Sequence, residues 1–339
     1  MQHADYFKTF LRDEVNLDDT RLTKLDDRVD AVYAALNADT TIGSLITGKH
    51  PQGSWAHQLI IKPRPDGNFD ADFMLEMTEV EGWEPKTYIN EVYNALHRHT
   101  TYSKQAHGRK CRCVYLEYAP VNGIGCHLDI VPFVVLGDGR CVIVNRNENE
   151  WEPRLGSTDP QGFTDWIKRR DELTSGQFRR VVRLMKYLRD RRGSFSGARS
   201  VILTTLLGLQ VTELDAGNPQ RFSNLPTALL NIVEDLDGWL QARTSRPSIT
   251  NPNGDGTTFD HRWSDETYRN FRDRLHSIAQ EMRAAYEEAD PERSAQGWQA
   301  LFGDKFDPPL ANASHSNNPF KPAAAATIAT GAARSGRAG

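Results

Sequence analysis

The sequence predicts an α+β protein in which a mixed sheet with helices fills the first half and helices alone fill the second. Two patterns carry that expectation. Up to about residue 146, short runs rich in β-branched and aromatic residues alternate with helical stretches. From about residue 160 the apolar residues recur at spacings of three and four. The chain has 339 residues, 38% hydrophobic and 25% charged, which suffices for a sizeable core in one large domain or two medium ones.

Residues 5 to 37 read mostly as helix, with Tyr6, Phe10 and Leu11 and then Leu22, Leu25, Val29, Val32, Tyr33 and Leu36 on one stripe. QLIIKP (58–63) and FDADFMLEM (69–77) read as two strands joined by the turn chemistry of PRPDGN. A helix is expected at about 85 to 98, and three further strands at about 110–119, 126–136 and 141–146. Helices are then expected at 161–171, 176–192, 198–209, 222–243 and 264–288, with a long polar loop at 247–263 between the last two. The expected division is a catalytic lobe with an N-terminal helix over 1–155, a helical lobe over 156–307 and a tail over 308–339. In residues 323–339 only Ile328 is a large apolar side chain, so the tail is expected to be disordered.

Composition excludes several classes. A net charge of −4 gives no general case for binding double-stranded nucleic acid or a membrane. Cys111, Cys113, Cys126 and Cys141 are too few for a disulfide scaffold. The first 17 residues are interrupted by acids and lack an apolar core, and no apolar run approaches a bilayer span, so the expected location is the cytoplasm. Charge is nevertheless uneven: residues 168–192 hold ten Lys or Arg against Asp171, Glu172 and Asp190, a local balance of +7 that suits an anionic ligand.

The chemistry starts at FDADFML. Side chains two apart on a strand share a face, so Asp70 and Asp72 project together while Phe69, Ala71 and Phe73 enter the core. Two such charges about 6.6 Å apart repel by roughly 2.5 kcal/mol at an effective dielectric near 20, so a cation is expected beside them. CHLDIVPF adds Asp129, a third carboxylate in an apolar strand. Three acids on adjacent strands make an oxygen-rich site suited to Mg²⁺, and two ions can clamp the attacking and leaving oxygens of a phosphoryl transfer. Upstream, Gly53 and Ser54 in QGSWAHQ offer backbone amides and a hydroxyl to a triphosphate.

The order GSW, FDADFML, HLDIVPF resembles the polymerase-beta-like nucleotidyltransferases. Within them it resembles the bacterial CD-NTases, relatives of cyclic GMP-AMP synthase. The likeness continues through FTDWIKRRDE, VVRLMKYLRDRRG and ARSVILTTLL and covers roughly residues 10 to 300. It implies an active site in a cleft between the two lobes. It also implies that Lys186 in RLMKYL and Ser200 in RSVIL bind the donor triphosphate. Helical periodicity agrees for Lys186: Phe178, Val181, Val182, Met185 and Leu188 form the buried stripe, which leaves Arg179, Arg183 and Lys186 on another face for phosphates.

Asp70 and Asp72 are then expected to hold two Mg²⁺ ions, with Mn²⁺ as a substitute. Asp129 would bind the catalytic ion and help deprotonate the acceptor ribose hydroxyl. Gly53, Ser54, Lys186 and Ser200 would hold ATP or another NTP. The resemblance implies a cyclic di- or trinucleotide product used as an antiphage (CBASS) second messenger. The alternative is nucleotidyl transfer to RNA or a small acceptor; a regulatory module with a degenerate site is disfavoured by the intact trio of Asp. Asn251, Asp255 and Trp263 are candidates for shaping the base pocket. Gly339 ends a tail of small residues, and the resemblance raises it as a conjugation site for a ubiquitin-ligase-like partner, with a HORMA-type activator as the other partner class.

Several near-motifs fail. GSLITGKH carries His50 where a P-loop needs a hydroxyl, DGNFDAD lacks the Gly and Glu of a calcium loop, and GSFSG has Phe195 at the nucleophile position. Cys111, Cys113, Cys126 and His127 lack zinc spacing. His127 shares a strand face with Asp129; lining the site and packing both remain open.

Overall fold

The first apolar stripe folds as two helices rather than one. Helix Ala4–Phe10 (α1) runs through a π turn at Leu11–Val15, and the chain then breaks before helix Asp19–Asn37 (α2). The break sits at Asp18, whose carboxylate accepts the N–H of Arg21 and caps α2. It also separates two hydrophobic clusters. Phe7, Phe10, Leu11 and Val15 join the helical second half, whereas Leu25, Val29, Val32 and Leu36 pack against the sheet.

These observations come from a computed structural model that describes residues 2–63, 68–105, 107–121, 124–147, 159, 161–195, 197–254 and 256–309. Met1 to Pro308 forms one compact unit. The expected lobe boundary at 155/156, most of the PRPDGN turn, Asp255, and the tail with Gly339 lie outside the described residues.

The sheet corrects one sequence expectation. QLIIKP is not a strand: only Ile61 bridges, to Asn16. The partner of FDADFMLEM is instead strand Ile46–Gln52 (β1), which is followed at once by the one-turn helix Gly53–Ala56 (α3). Strand Asn68–Thr78 (β2) pairs antiparallel with β1, placing Gln52 opposite Asp72. β1 was hard to see because it is an edge strand whose Gly48, Lys49 and Pro51 are poor sheet formers, residues that also discourage pairing with another chain. QLII is apolar for a different reason: Leu59 enters the helical cluster and Ile60 the sheet cluster, so this segment passes between the two.

Helix Pro85–Arg98 (α4) starts with Pro at its first position, where no N–H is needed, and buries Tyr88, Ile89, Val92 and Leu96. Strand His107–Arg109 (β3), missed in the sequence, precedes strands Val114–Val121 (β4), Ile124–Val135 (β5) and Cys141–Ile143 (β6). The sheet order is β1-β2-β5-β4-β3, with β6 on the far end of β5. Only β2 and β5 pair in parallel among the described strands, and their register sets Asp72 beside Asp129 and Asp70 beside His127. On the opposite face Ala71, Phe73, Leu75 and Met77 are fully buried, as are Leu128, Ile130 and Val134.

The second half is helical as expected: Gly162–Leu173 (α5), Gln177–Arg192 (α6), Ser200–Gly208 (α7), Leu225–Gln241 (α8) and Asp265–Glu287 (α9). A further helix, Pro291–Phe302 (α10), was not foreseen. Its signals were present: Asp290 caps it, Pro291 opens it, and Ala295, Trp298, Leu301 and Phe302 make its buried face. Trp298 and Phe302 pack against Phe7 of α1 with centroids 4.9 and 5.8 Å apart.

Candidate active site

Asp72 is the centre of the acidic side. It projects from β2 on the face away from the core, beside Asp129 of β5 and two residues from Asp70. Burial first, and then the charges of Asp70 and Asp129, push its carboxyl up to about 7. A carboxylate held this far above its ordinary range is poorly solvated and also has negative neighbours that its surroundings do not fully balance. That excess is what a divalent cation neutralises, so the donor chemistry fits one.

The chain supplies a partial counter-charge of its own, which the sequence did not reveal. Lys110, in the β3–β4 turn, places Nζ 3.0 and 2.9 Å from the two oxygens of Asp129 and 2.9 Å from His127 Nε2. His127 Nε2 lies 2.6 Å from Asp129 Oδ1, and its ring stacks on Tyr115 at 5.3 Å. His127 therefore lines the site rather than packing in the core. Among the described residues no three His, Cys, Asp or Glu side chains are set to hold an ion as they stand. The four cysteines are free thiols.

The turn at Gly53 is built against these acids. Gly53 has φ +65°, a backbone region that favours glycine, and a Cβ there would lie 2.3 Å from Asp72 Oδ2. Glycine thus lets α3 turn directly over the carboxylate. Gly53 and Ser54 line two adjoining cavities. One, of ≈ 340 Å³, also takes in Asp70, Asp72, Lys186, Arg189, Asp190 and Ser200. The other, of ≈ 330 Å³, extends past Lys186 and Ser200 to Phe163, Asn251, Asn253 and Phe259. Carboxylates, hydroxyls and a lysine at one end, with aromatic rings and amides at the other, match the polarity of a nucleoside triphosphate.

Lys186 departs from the sequence expectation of an open basic face. It is 6% exposed and donates to the carbonyl of Leu59 at 2.7 Å. Burial, followed by the charge of Arg189, lowers its pKa to about 8. Arg179 and Arg183 are also occupied, on the carbonyls of His57 and Gln58. Ser200 is the first residue of α7, and its Oγ accepts from Arg189 at 3.1 Å. His57, 7% exposed, packs edge-on to Phe163, and burial, with Lys186 and Arg179 nearby, lowers its pKa to about 4. Of the residues expected to shape the base pocket, Asn251 lines it. Trp263 does not: it is 6% exposed and packs edge-on to Tyr268 and Phe271 in the helical cluster.

Comparison with known proteins decides between the enzymes that share this architecture. Residues 1–171 match the family described as SMODS, the Second Messenger Oligonucleotide or Dinucleotide Synthetase domain. The chain belongs to this family. It is a nucleotidyltransferase of the bacterial CD-NTase group, as the strand motifs suggested. A c-di-GMP synthase of Roseivirga ehrenbergii is 26% identical over 310 residues, covering 81% of this chain and 78% of that protein. A cyclic AMP-AMP-AMP synthase of an Acinetobacter species is 22% identical over 75% of this chain and 71% of that protein. Among solved structures, Escherichia coli CdnC with ATP has a TM-score of 0.68 at 18% identity, covering 90% of this chain and 98% of that one. The Vibrio cholerae DncV cyclic AMP-GMP synthase has a TM-score of 0.69 at 14% identity, with 90% and 97% covered. These last two show a shared fold, the α+β architecture of a mixed sheet with helices.

Proposed function

We propose that the chain joins nucleoside triphosphates into a cyclic di- or trinucleotide that serves as a second messenger in antiphage defence, releasing pyrophosphate. The observation that supports this most is the meeting of Asp70 and Asp72 with Gly53, Ser54, Lys186 and Ser200 around one cavity, with Asp129 beside Asp72 on the next strand. The expected division into lobes at 1–155 and 156–307 would make that meeting place the cleft between them.

Each residue has a role that its surroundings suit. Lys186 and the hydroxyls of Ser54 and Ser200 hold the triphosphate by charge-assisted and neutral hydrogen bonds. Phe163 and Phe259 flank the base, and the amides of Asn251 and Asn253 meet its edge. Asp129, already within hydrogen-bond reach of His127 and Lys110, accepts the proton of the acceptor hydroxyl. Asp70 and Asp72, with Asp129 sharing one of two Mg²⁺ or Mn²⁺ ions, would hold the metal, which when bound neutralises the phosphate and attacking oxygens. A structural neighbour is a CdnC:HORMA complex, and a HORMA-type activator is the partner class that this likeness favours. Conjugation at Gly339 by a ubiquitin-ligase-like partner is the alternative, and removal of the last residues would abolish it.

The purified protein incubated with Mg²⁺ and the four labelled NTPs should yield a phosphatase-resistant product whose mass identifies its bases. Product formed only when RNA or another acceptor is added would replace cyclisation with simple nucleotidyl transfer.

A further inference from the structure

Residues 57–59 are held on both sides by hydrogen bonds. Their N–H groups close the turn that carries the phosphate-facing residues: His57 N–H donates to Gly53 O at 3.2 Å, Gln58 N–H to Trp55 O at 3.0 Å and Leu59 N–H to Ser54 O at 2.8 Å. Their carbonyls all accept from one helix. Arg179 Nε reaches His57 O at 3.0 Å, a terminal nitrogen of Arg183 reaches Gln58 O at 3.1 Å, and Lys186 Nζ reaches Leu59 O at 2.7 Å. Positions 179, 183 and 186 are four and three apart, so they form a single row along α6. Three consecutive backbone carbonyls matched to three consecutive cations of one helix row is a register, and a shift of one residue would break every bond in it.

The middle residue is the one least able to hold itself. Gln58 has φ +57°, a left-handed conformation that side-chain-bearing residues adopt at a cost, and Arg183 is bound to its carbonyl. Arg183 is half-buried, and burial lowers its pKa to about 10. Arg179 is anchored from behind as well: its second nitrogen meets Asp171 at 3.0 Å, and Asp171 also accepts the Arg179 N–H at 2.9 Å.

We propose that Arg179 and Arg183 are positioning residues for the donor nucleotide. They fix residues 57–59 and, through them, Gly53 and Ser54. Lys186 is the member of the row that also lines the cavities and reaches the triphosphate. The basic excess of α6 thus divides into an anchor and a ligand, instead of acting as a uniform phosphate surface. This rests on the nucleotidyltransferase reading of the same cleft.

The test compares five forms of the intact enzyme: wild type, R183Q, R183K, R179K and K186A. Each is measured for equilibrium binding of an ATP analogue with a methylene in place of the α,β-bridging oxygen, for KM and kcat, and for thermal stability. R183Q should weaken analogue binding and raise KM by about tenfold while kcat stays within a few-fold, because ground-state binding is what the anchor supports. R183K should restore binding, since Arg183 uses one nitrogen on Gln58 O. R179K should stay impaired, since one ammonium cannot span both His57 O and Asp171. If R183Q fails to fold, the contrast between R183K and R179K decides the matter. K186A separates the two layers of the argument. If K186A binds the analogue like wild type, the triphosphate reading of the cleft falls. If K186A loses binding while R183Q and R179K bind normally, the cleft reading stands and the positioning role is overturned. R183K no better than R183Q also overturns it.

Discussion

The acidic and basic walls of the cleft are charged to opposite ends, and they treat their charge differently. On β2 and β5 the carboxylates crowd together with one partly exposed lysine between them, and Asp72 is driven up to about 7. On α6 three cations each hold a backbone carbonyl: Arg179 that of His57, with Asp171 as a second partner, Arg183 that of Gln58, and Lys186 that of Leu59. The acidic wall sets carboxylates against one another, whereas these three cations already hold backbone carbonyls, although burial still lowers Arg183 to about 10 and Lys186 to about 8. An unbalanced cluster of charge marks where a ligand must bind, whereas a charge run read from sequence can be mostly architecture.

The sharpest way to break the comparison is to remove the imbalance. Asp70→Asn together with Asp72→Asn should abolish product formation, because the remaining carboxylate of β2, Glu76, is held by Thr47 and His50 and not beside Asp129. The same double variant should melt at a higher temperature than wild type in chelator, since it removes a charge that is costly to bury at Asp72 and relieves the repulsion around it. Calorimetry and a product assay read both effects. A variant that is active, or that melts lower in chelator, would mean that Asp72 is not the unbalanced group.

Gly53→Ala tests how closely the turn and the acid fit. The backbone alone costs about 1–2 kcal/mol in a left-handed position, and the new methyl would meet Asp72 Oδ2 at 2.3 Å. Activity should fall more than tenfold and the melting temperature by several degrees. Normal activity would show that α3 can move away from Asp72 without consequence.

What the sequence made legible follows from the same contrast. Asp70, Asp72 and Asp129 stood out because a charge in an apolar strand is expensive and therefore visible. α4 was read with its correct ends because its stripe is regular and Pro85 marks the start. QLII was misread because an apolar run fits a strand and a buried crossing equally well, and the true edge strand β1 carries the residues that weaken strand signals. The sequence placed Arg179, Arg183 and Lys186 together correctly, but their partners are backbone carbonyls, which every residue has and no motif can mark. Lys110 was invisible for a related reason: only the β4–β5 pairing brings its turn over Asp129.

The pH dependence of stability should show the imbalance directly in metal-free protein. The carboxyl of Asp72 is raised in the folded state relative to the unfolded chain, so the folded state binds its proton more tightly. Its stabilising contribution is complete below the unfolded value near 4 and is lost as pH rises towards about 7. Asp72→Asn should flatten that part of the profile. Equal slopes for wild type and variant between pH 4 and 7, measured by urea denaturation in chelator, would remove Asp72 as its source.

The smallest expected effect concerns Lys110, the cation that contacts Asp129 among the described residues. Lys110 Nζ contacts both oxygens of Asp129, so an arriving ion must displace it or share the carboxylate. The lysine side chain is 49% exposed, however, and an ion pair so open to water contributes at most about 1 kcal/mol. Displacing it therefore weakens metal binding by no more than about fivefold, since 1.4 kcal/mol corresponds to tenfold. Lys110→Gln removes the competing charge, and Mn²⁺ titration of nucleotide-free protein, followed by its spin-resonance signal, should show binding tightened within that limit. A larger gain would mean that Lys110 closes the site far more firmly than its exposure allows. Weaker binding would reverse the argument: Lys110 would then be holding Asp129 in its ligating position, and the acidic wall would need its lysine as much as the basic wall needs its carbonyls.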